Sequence, residues 1–189
     1  MQKPRNWENT PAQMGGQHEM LPAGGHIMKI LRAEVRQNKN GADMLVLTMD
    51  VAEGTQYDGF FRREYNARNM TDKWPIGGMM YQSLTDQNGD ANPRFKGLIK
   101  AIEQSNLNYA WNWDELTLKG KLIGIIYREE DREYQGRVYT DTKPMACCAA
   151  NEALDKEAPR RKELDRTAMP TSATTGTKFE EVQDDELPF

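Results

Sequence analysis

The 189-residue chain has only two cysteines, Cys147 and Cys148, and they are adjacent. Adjacent cysteines lack the C-x-x-C spacing of zinc and redox sites, and such pairs rarely form a structural disulfide. They read as small apolar residues closing a strand, in a reducing and therefore cytoplasmic compartment. No run of about 18 apolar residues is present, so no membrane-spanning helix is expected. The stretch "MQKPRNWENTPAQMGGQHEM" has no apolar core of the kind a signal peptide needs. Histidine is also scarce: His18 and His26 stand without a partner in metal-ligand register. No Gly-rich phosphate loop, nucleophile elbow or paired-carboxylate motif occurs. The chain is therefore expected to hold no metal or cofactor and to be no enzyme.

Hydrophobic residues make up 38% of the chain and charged residues 29%. The mean hydropathy of -0.84 is polar enough that part of the chain is expected not to pack. The net charge is -4, but basic and acidic residues balance from His26 to Cys148, and the whole deficit falls in residues 149–189. A neutral body can carry a basic stripe, so the net charge favours no class of partner.

Along the chain, residues 1–20 read as a flexible arm and the folded domain as 21–150. In "KILRAEVRQ" Leu31, Ala33 and Val35 alternate with Arg32, Glu34 and Arg36, the period of a half-buried strand. Asn40-Gly41 supplies a hairpin turn. The returning strand places Leu45, Leu47, Met49 and Val51 on one face. "YDGFFRREY" reads as the third strand, and "GGMMYQSL" as a short extra one. "DANPRFKGLIKAIEQSN" predicts a helix with Asn92 as N-cap, Pro93 in the first turn, and an apolar stripe of Phe95, Leu98, Ile99 and Ile102. Two long strands then turn at Gln135-Gly136, so that Tyr134 opposes Arg137 and Arg132 opposes Tyr139. Residues 151–179 have linker composition. Three strands, a helix and a closing hairpin form the order of the OB-fold, a mainly β five-stranded barrel with its helix between strands 3 and 4.

Single strands of nucleic acid are held by aromatic platforms under the bases and cations along the backbone. Phe60, Phe61, Arg62 and Arg63 supply both within four residues, and strand alternation would bury only one of the two rings. Tyr127, Arg128, Arg132, Tyr134, Arg137, Tyr139 and Lys143 interleave the same types on the hairpin. Arg32, Arg36 and Lys39 lead from the first strand into its loop. Trp74, in a loop, is a further candidate contact, whereas Trp111 and Trp113 are expected to pack beside the helix. The chain closes on "EEVQDDELPF". Its acidic run repels itself and nucleic acid, while Pro188 stiffens the end and Phe189 offers a ring beside a carboxylate. Asp184, Asp185, Glu186, Leu187, Pro188 and Phe189 thus read as a tip for an apolar pocket rimmed by Lys or Arg on another protein.

The tip "DDELPF" resembles that of bacterial single-stranded-DNA-binding proteins. The body segments "LPAGGHIMKILRAEV", "LTMDVAEG", "FKGLIKAIEQSN", "WNWDELTLKGKLIGIIYREE" and "YQGRVYT" resemble phage and prophage single-stranded-DNA-binding proteins of Gram-positive hosts. The resemblance spans roughly Leu21 to Ala150 and the final ten residues. It implies an OB-like core, sequence-independent binding of single-stranded DNA in phage DNA replication, recombination and repair, and a tip that recruits host or phage replication and repair proteins. The family has no short DNA-contact motif, so no individual contact carries over. An OB-fold protein-interaction adaptor and a strand-annealing recombination mediator remain as alternatives, and a homo-oligomer stays open.

Overall fold

A computed structural model describes Lys3, residues 19–67 and residues 73–164. Two long alternating stretches open the fold: β1 (Gly24–Gln37) and β2 (Asp43–Val51) pair antiparallel. Asn38 organises their loop, its Oδ1 accepting from the amides of Asn40 and Ala42, while Gly41 takes the positive φ. Leu45, Leu47, Met49 and Val51 are buried as their spacing predicts. On β1 the expectation needs correction. Ile30 pairs with Met49 and Arg32 with Thr48, so Leu31 is an extra residue. A bulge shifts the alternation by one position. Met28 and Ile30 face the core before it and Ala33 after it, while Val35 is exposed.

The "FFRREY" stretch is not a strand. Phe60–Ala67 forms helix α1, and Phe60 and Phe61 are both buried. Adjacent residues cannot enter one core from a strand, but in a helix they sit about 100° apart and can share an apolar stripe. The Asp50 carboxylate anchors the start of α1 by accepting from the Phe61 amide at 2.9 Å. The third strand is instead β3 (Met79–Ser83), the short stretch in "GGMMYQSL", which pairs with β2 after a 3-10 turn at Ile76–Gly78.

Helix α2 (Pro93–Ser105) follows its sequence signals. Asn92 accepts from the Arg94 amide at 2.9 Å, and Phe95, Leu98, Ile99 and Ile102 are buried. At its far end the Asn106 side chain donates to Ile102 O and Leu122 O and accepts from Leu122 N, tying the helix to the next strand. That strand, β4 (Leu122–Tyr134), turns through Gln135 and Gly136, both at positive φ, into β5 (Arg137–Cys148). Tyr134 opposes Arg137 and Arg132 opposes Tyr139, as expected. The five strands form one antiparallel sheet in the order β3-β2-β1-β4-β5. Cys147 and Cys148 end β5 as free thiols.

Residues 151–164, which read as the start of a linker, are part of the fold. The one-turn helix α3 (Ala150–Ala153) lies on the side of β1 and β4 opposite the core, where Gly25 and Gly124 make room for it. A Cβ at Gly25 would sit 1.7 Å from Ala153 O. The chain then runs beside β4. The Lys162 amide donates to Glu129 O, its carbonyl accepts from Asp131 N, and Arg161 donates to the Asp131 carboxylate and to Thr140. The remaining linker residues, the tip residues 184–189 and all of the arm except Lys3, Glu19 and Met20 lie outside the described residues. Among those described, no helix is long and apolar enough to cross a membrane.

The core joins Leu21, Met28, Leu47, Met49, Leu98, Ile102, Ile123, Ile125 and Tyr127 in one cluster. His26 sits at its margin, edge-on to Tyr57 and Tyr127 and donating to Pro22 O at 2.8 Å. Burial lowers its pKa from 6.5, against the opposing pull of that hydrogen bond. The folded state resists protonation, so stability should hold above about pH 6.5 and fall as pH drops below it. Urea unfolding between pH 8 and 5 should show this loss, and His26→Gln should flatten it. Gly25→Ala should destabilise the protein by at least about 2 kcal/mol, because backbone occupies the added methyl's space. Gly97→Ala, with nothing within 4 Å of the new Cβ on α2, should stabilise it by about 0.5–1 kcal/mol.

Candidate nucleic-acid interface

Cross-strand partners in a ladder point to the same side, and this sorts the hairpin residues. Arg128 faces Lys143, Glu130 faces Asp141, Arg132 faces Tyr139 and Tyr134 faces Arg137. Six of the seven hairpin candidates therefore share one face, with two carboxylates among them. Glu130 pairs with Arg128 and lies 3.6 Å from Lys143; hydrogen bonding from Arg128 pulls its pKa down first, with the nearby cations adding to this. Arg132 pairs with Asp141 and also lies over the Tyr139 ring at 5.3 Å. Arg137 has no ion pair among the described residues.

Tyr127 is the seventh, and it is corrected. It alternates to the core side and is fully buried, and its hydroxyl donates to Gly77 O at 2.9 Å. Burial drives its pKa far up. It is a core residue, unavailable for stacking.

The same pairing logic assembles a second row on β1, β2 and β3. Arg32 lies across from Thr48 and Met79, Glu34 from Val46 and Tyr81, and Arg36 from Met44 and Ser83. Counted through the Leu31 bulge, this row is on the side away from Met28 and Ile30, as is the hairpin row. Arg32 and Arg36 both pair with Glu34 yet keep more than half of their side-chain surface exposed, at 68% and 53%. Tyr81 is 50% exposed. Sequence reading missed it because the third strand was placed at Phe60; the alternation of Met79, Tyr81 and Ser83 was the signal. Lys39 is exposed in the β1–β2 loop. Helix α3 covers Gly25 and Gly124 between the two rows, and β1 runs antiparallel to β4, so the loop and the hairpin tip lie at opposite ends of the β1–β4 ladder. The residues predicted to share one groove thus form two patches.

Phe60 and Phe61 are corrected as exposed platforms: both rings are buried, edge-on at 5.3 Å. They form part of the wall of a cleft of about 390 Å³, together with Met20, Leu21, Ile76, Arg132 and Lys143, so α1 faces the hairpin root across it. Arg62 is exposed, its Nε 3.9 Å from the Asp50 carboxylate. Arg63 donates to Asp58 O. Burial raises the Asp50 pKa, although three backbone amides and Arg62 oppose the shift. Trp74 is half-buried rather than free. Its Nε1 donates to Met49 O at 3.0 Å and its ring packs against Tyr65 at 5.4 Å. Trp111 packs against the core beside α2 as expected, whereas Trp113 is 77% exposed. Among the described residues, no group of three or more His, Cys, Asp or Glu side chains is arranged to hold a metal ion.

Tyr127→Phe should cost about 1–2 kcal/mol of stability by leaving Gly77 O unpaired, while Tyr81→Phe should cost less than about 0.5 kcal/mol. Thermal unfolding of the two variants checks the assignment of one ring to the core and the other to the surface. No protein-family model matches the chain, and no curated protein sequence matches it.

Proposed function

We propose that the chain is an OB-fold protein that binds single-stranded DNA without sequence preference. The observation that carries this reading is the placement of exposed arginines and tyrosines on one side of the sheet, away from the core. Arg32, Arg36 and Tyr81 form one patch, and Arg132, Tyr134, Arg137 and Tyr139 the other. Rings of this kind stack on any base, and guanidinium groups follow any backbone. The strand order and the helix between β3 and β4 suit an OB barrel in which β3 approaches β5. The resemblance to phage single-stranded-DNA-binding proteins extends the proposal to protection of exposed strands during phage replication, recombination and repair in the host cytoplasm. Residues 184–189 would then recruit replication or repair proteins, and no catalysis is proposed.

The ion pairs within both patches favour a second reading, an adaptor whose main ligand is protein. Glu34, Glu130 and Asp141 neutralise part of the cationic surface. Anisotropy titrations with labelled oligo-dT and a matched duplex separate the two. Tight single-strand binding that weakens with salt is expected. Tyr81→Ala should weaken it about fivefold or more, one stacked base being worth roughly 1–3 kcal/mol. Arg32→Ala with Arg36→Ala should reduce the salt slope by about 0.7 for each phosphate that is no longer neutralised. Absence of oligo-dT binding by the full chain at low salt would reject the DNA reading in favour of the adaptor.

A further inference from the structure

The two patches are separated along β1 and β4, and what lies between them there does not suit a nucleic-acid strand. Helix α3 stands in the way, and residues 150–158 expose Glu152, Asp155 and Glu157 against Lys156 alone. Carboxylates on that route repel phosphate. A shorter route runs round the other way, where the segment leading into β3 meets β5. Met79 opens β3, and the Tyr81 hydroxyl donates to its Sδ at 3.3 Å. The 3-10 turn just ahead of it abuts β5 so closely that a Cβ on Gly77 would lie 3.3 Å from Thr142 O. The cleft of about 390 Å³ opens at this seam. Ile76, 69% exposed, lines it from the β3 side, and Arg132 and Lys143 of the hairpin patch line it from the other.

We propose that this cleft seats a base of the bound strand and so joins the two patches into one path. The assignment deepens the single-strand reading and rests on it. The walls favour a base over a phosphate. Leu21, Phe60, Phe61 and Ile76 give apolar surface for the flat face of a base, and Glu19, Glu64 and Asp141 line the cleft beside them. Carboxylates exclude phosphate, yet they accept from the N–H groups that all four bases carry on their edges. The cations stand on the hairpin side. Asp141 pairs with Arg132 and Glu130 lies 3.6 Å from Lys143, but 48% and 37% of the two cationic side chains stay exposed, open to the flanking phosphates. Small-ligand sites occupy about 300–1,000 Å³, and a cleft of about 390 Å³ at the lower end of that range suits a single base.

Anisotropy titrations of the full-length wild type and Ile76→Glu test this. The probe is an oligo-dT just long enough to reach both patches, with and without a central run of abasic sites. Ile76 is exposed, so the melting temperature should not change. Ile76→Glu should weaken the normal strand about fivefold or more, the scale of one base contact. Ile76→Gln, which adds no charge, should do so in part. The abasic run should weaken wild-type binding to a similar extent, and Ile76→Glu should then cost the abasic strand much less than it costs the normal one. Equal losses on both strands would mean that the cleft senses charge but holds no base, and would overturn the proposal. Unchanged affinity in Ile76→Glu would do the same. Tighter binding by Ile76→Glu would assign the cleft to a segment of this chain that the strand must expel, and would also overturn it. A wild type that binds no oligo-dT at all would remove the single-strand reading and the cleft's role together, whereas any of the other failures would leave that reading in place.

Discussion

Leu31 has no partner across the β1–β2 ladder, and this one extra residue decides what both halves of the molecule present. β1 is the central strand, pairing with β2 on one edge and β4 on the other. Upstream of the bulge its even-numbered residues Met28 and Ile30 complete the core. Downstream the even-numbered residues Arg32, Glu34 and Arg36 turn to the opposite side. Without the bulge the two arginines would point into the core, and burying them against Leu45 and Leu47 would be prohibitive. A local backbone irregularity therefore allows one strand to serve the interior over half its length and a charged surface over the other half.

That surface is more neutral than its cations suggest. Carboxylates stand between the arginines in both rows, and each holds its neighbours in place. Exposed ion pairs of this kind add little stability, but they limit the rotamers of long side chains that would otherwise be mobile. A ligand bearing phosphates would compete with Glu34, Glu130 and Asp141 for the same guanidinium and ammonium groups. For such a ligand the exposed rings of Tyr81, Tyr134 and Tyr139 would be the contribution that a carboxylate cannot mask.

Legibility in the sequence followed how local each determinant is. Helix α2 was readable because Asn92, Pro93 and the Phe95–Ile102 stripe lie within its own turns. The outer hairpin and its register were readable because Gln135-Gly136 fixes the pairing as far as Tyr127 and Pro144, where a bulge at Met145 shifts it. Helix α1 was not, since its start is held by Asp50, ten residues upstream on β2. Placing a strand at Phe60 then displaced the true third strand, and with it Tyr81. Tyr127 looked like its hairpin neighbours because alternation cannot say which parity faces inward; the hydroxyl's partner, Gly77, is fifty residues away. The packing of residues 151–164 depends on Gly25 and Asp131, and nothing in their own composition announces it.

The strap formed by Arg161 and Lys162 has a consequence for the hairpin's reach. β1 begins at Gly24 opposite Tyr127, so beyond that point β4 would expose a row of unpaired amides and carbonyls on one side. Lys162 meets the Glu129 carbonyl and the Asp131 amide. Bare strand margins invite any extended chain to add itself. With the root of this margin already taken, and charged side chains lining the rest, the hairpin can project from the sheet as an arm while remaining a poor template for stray β-structure.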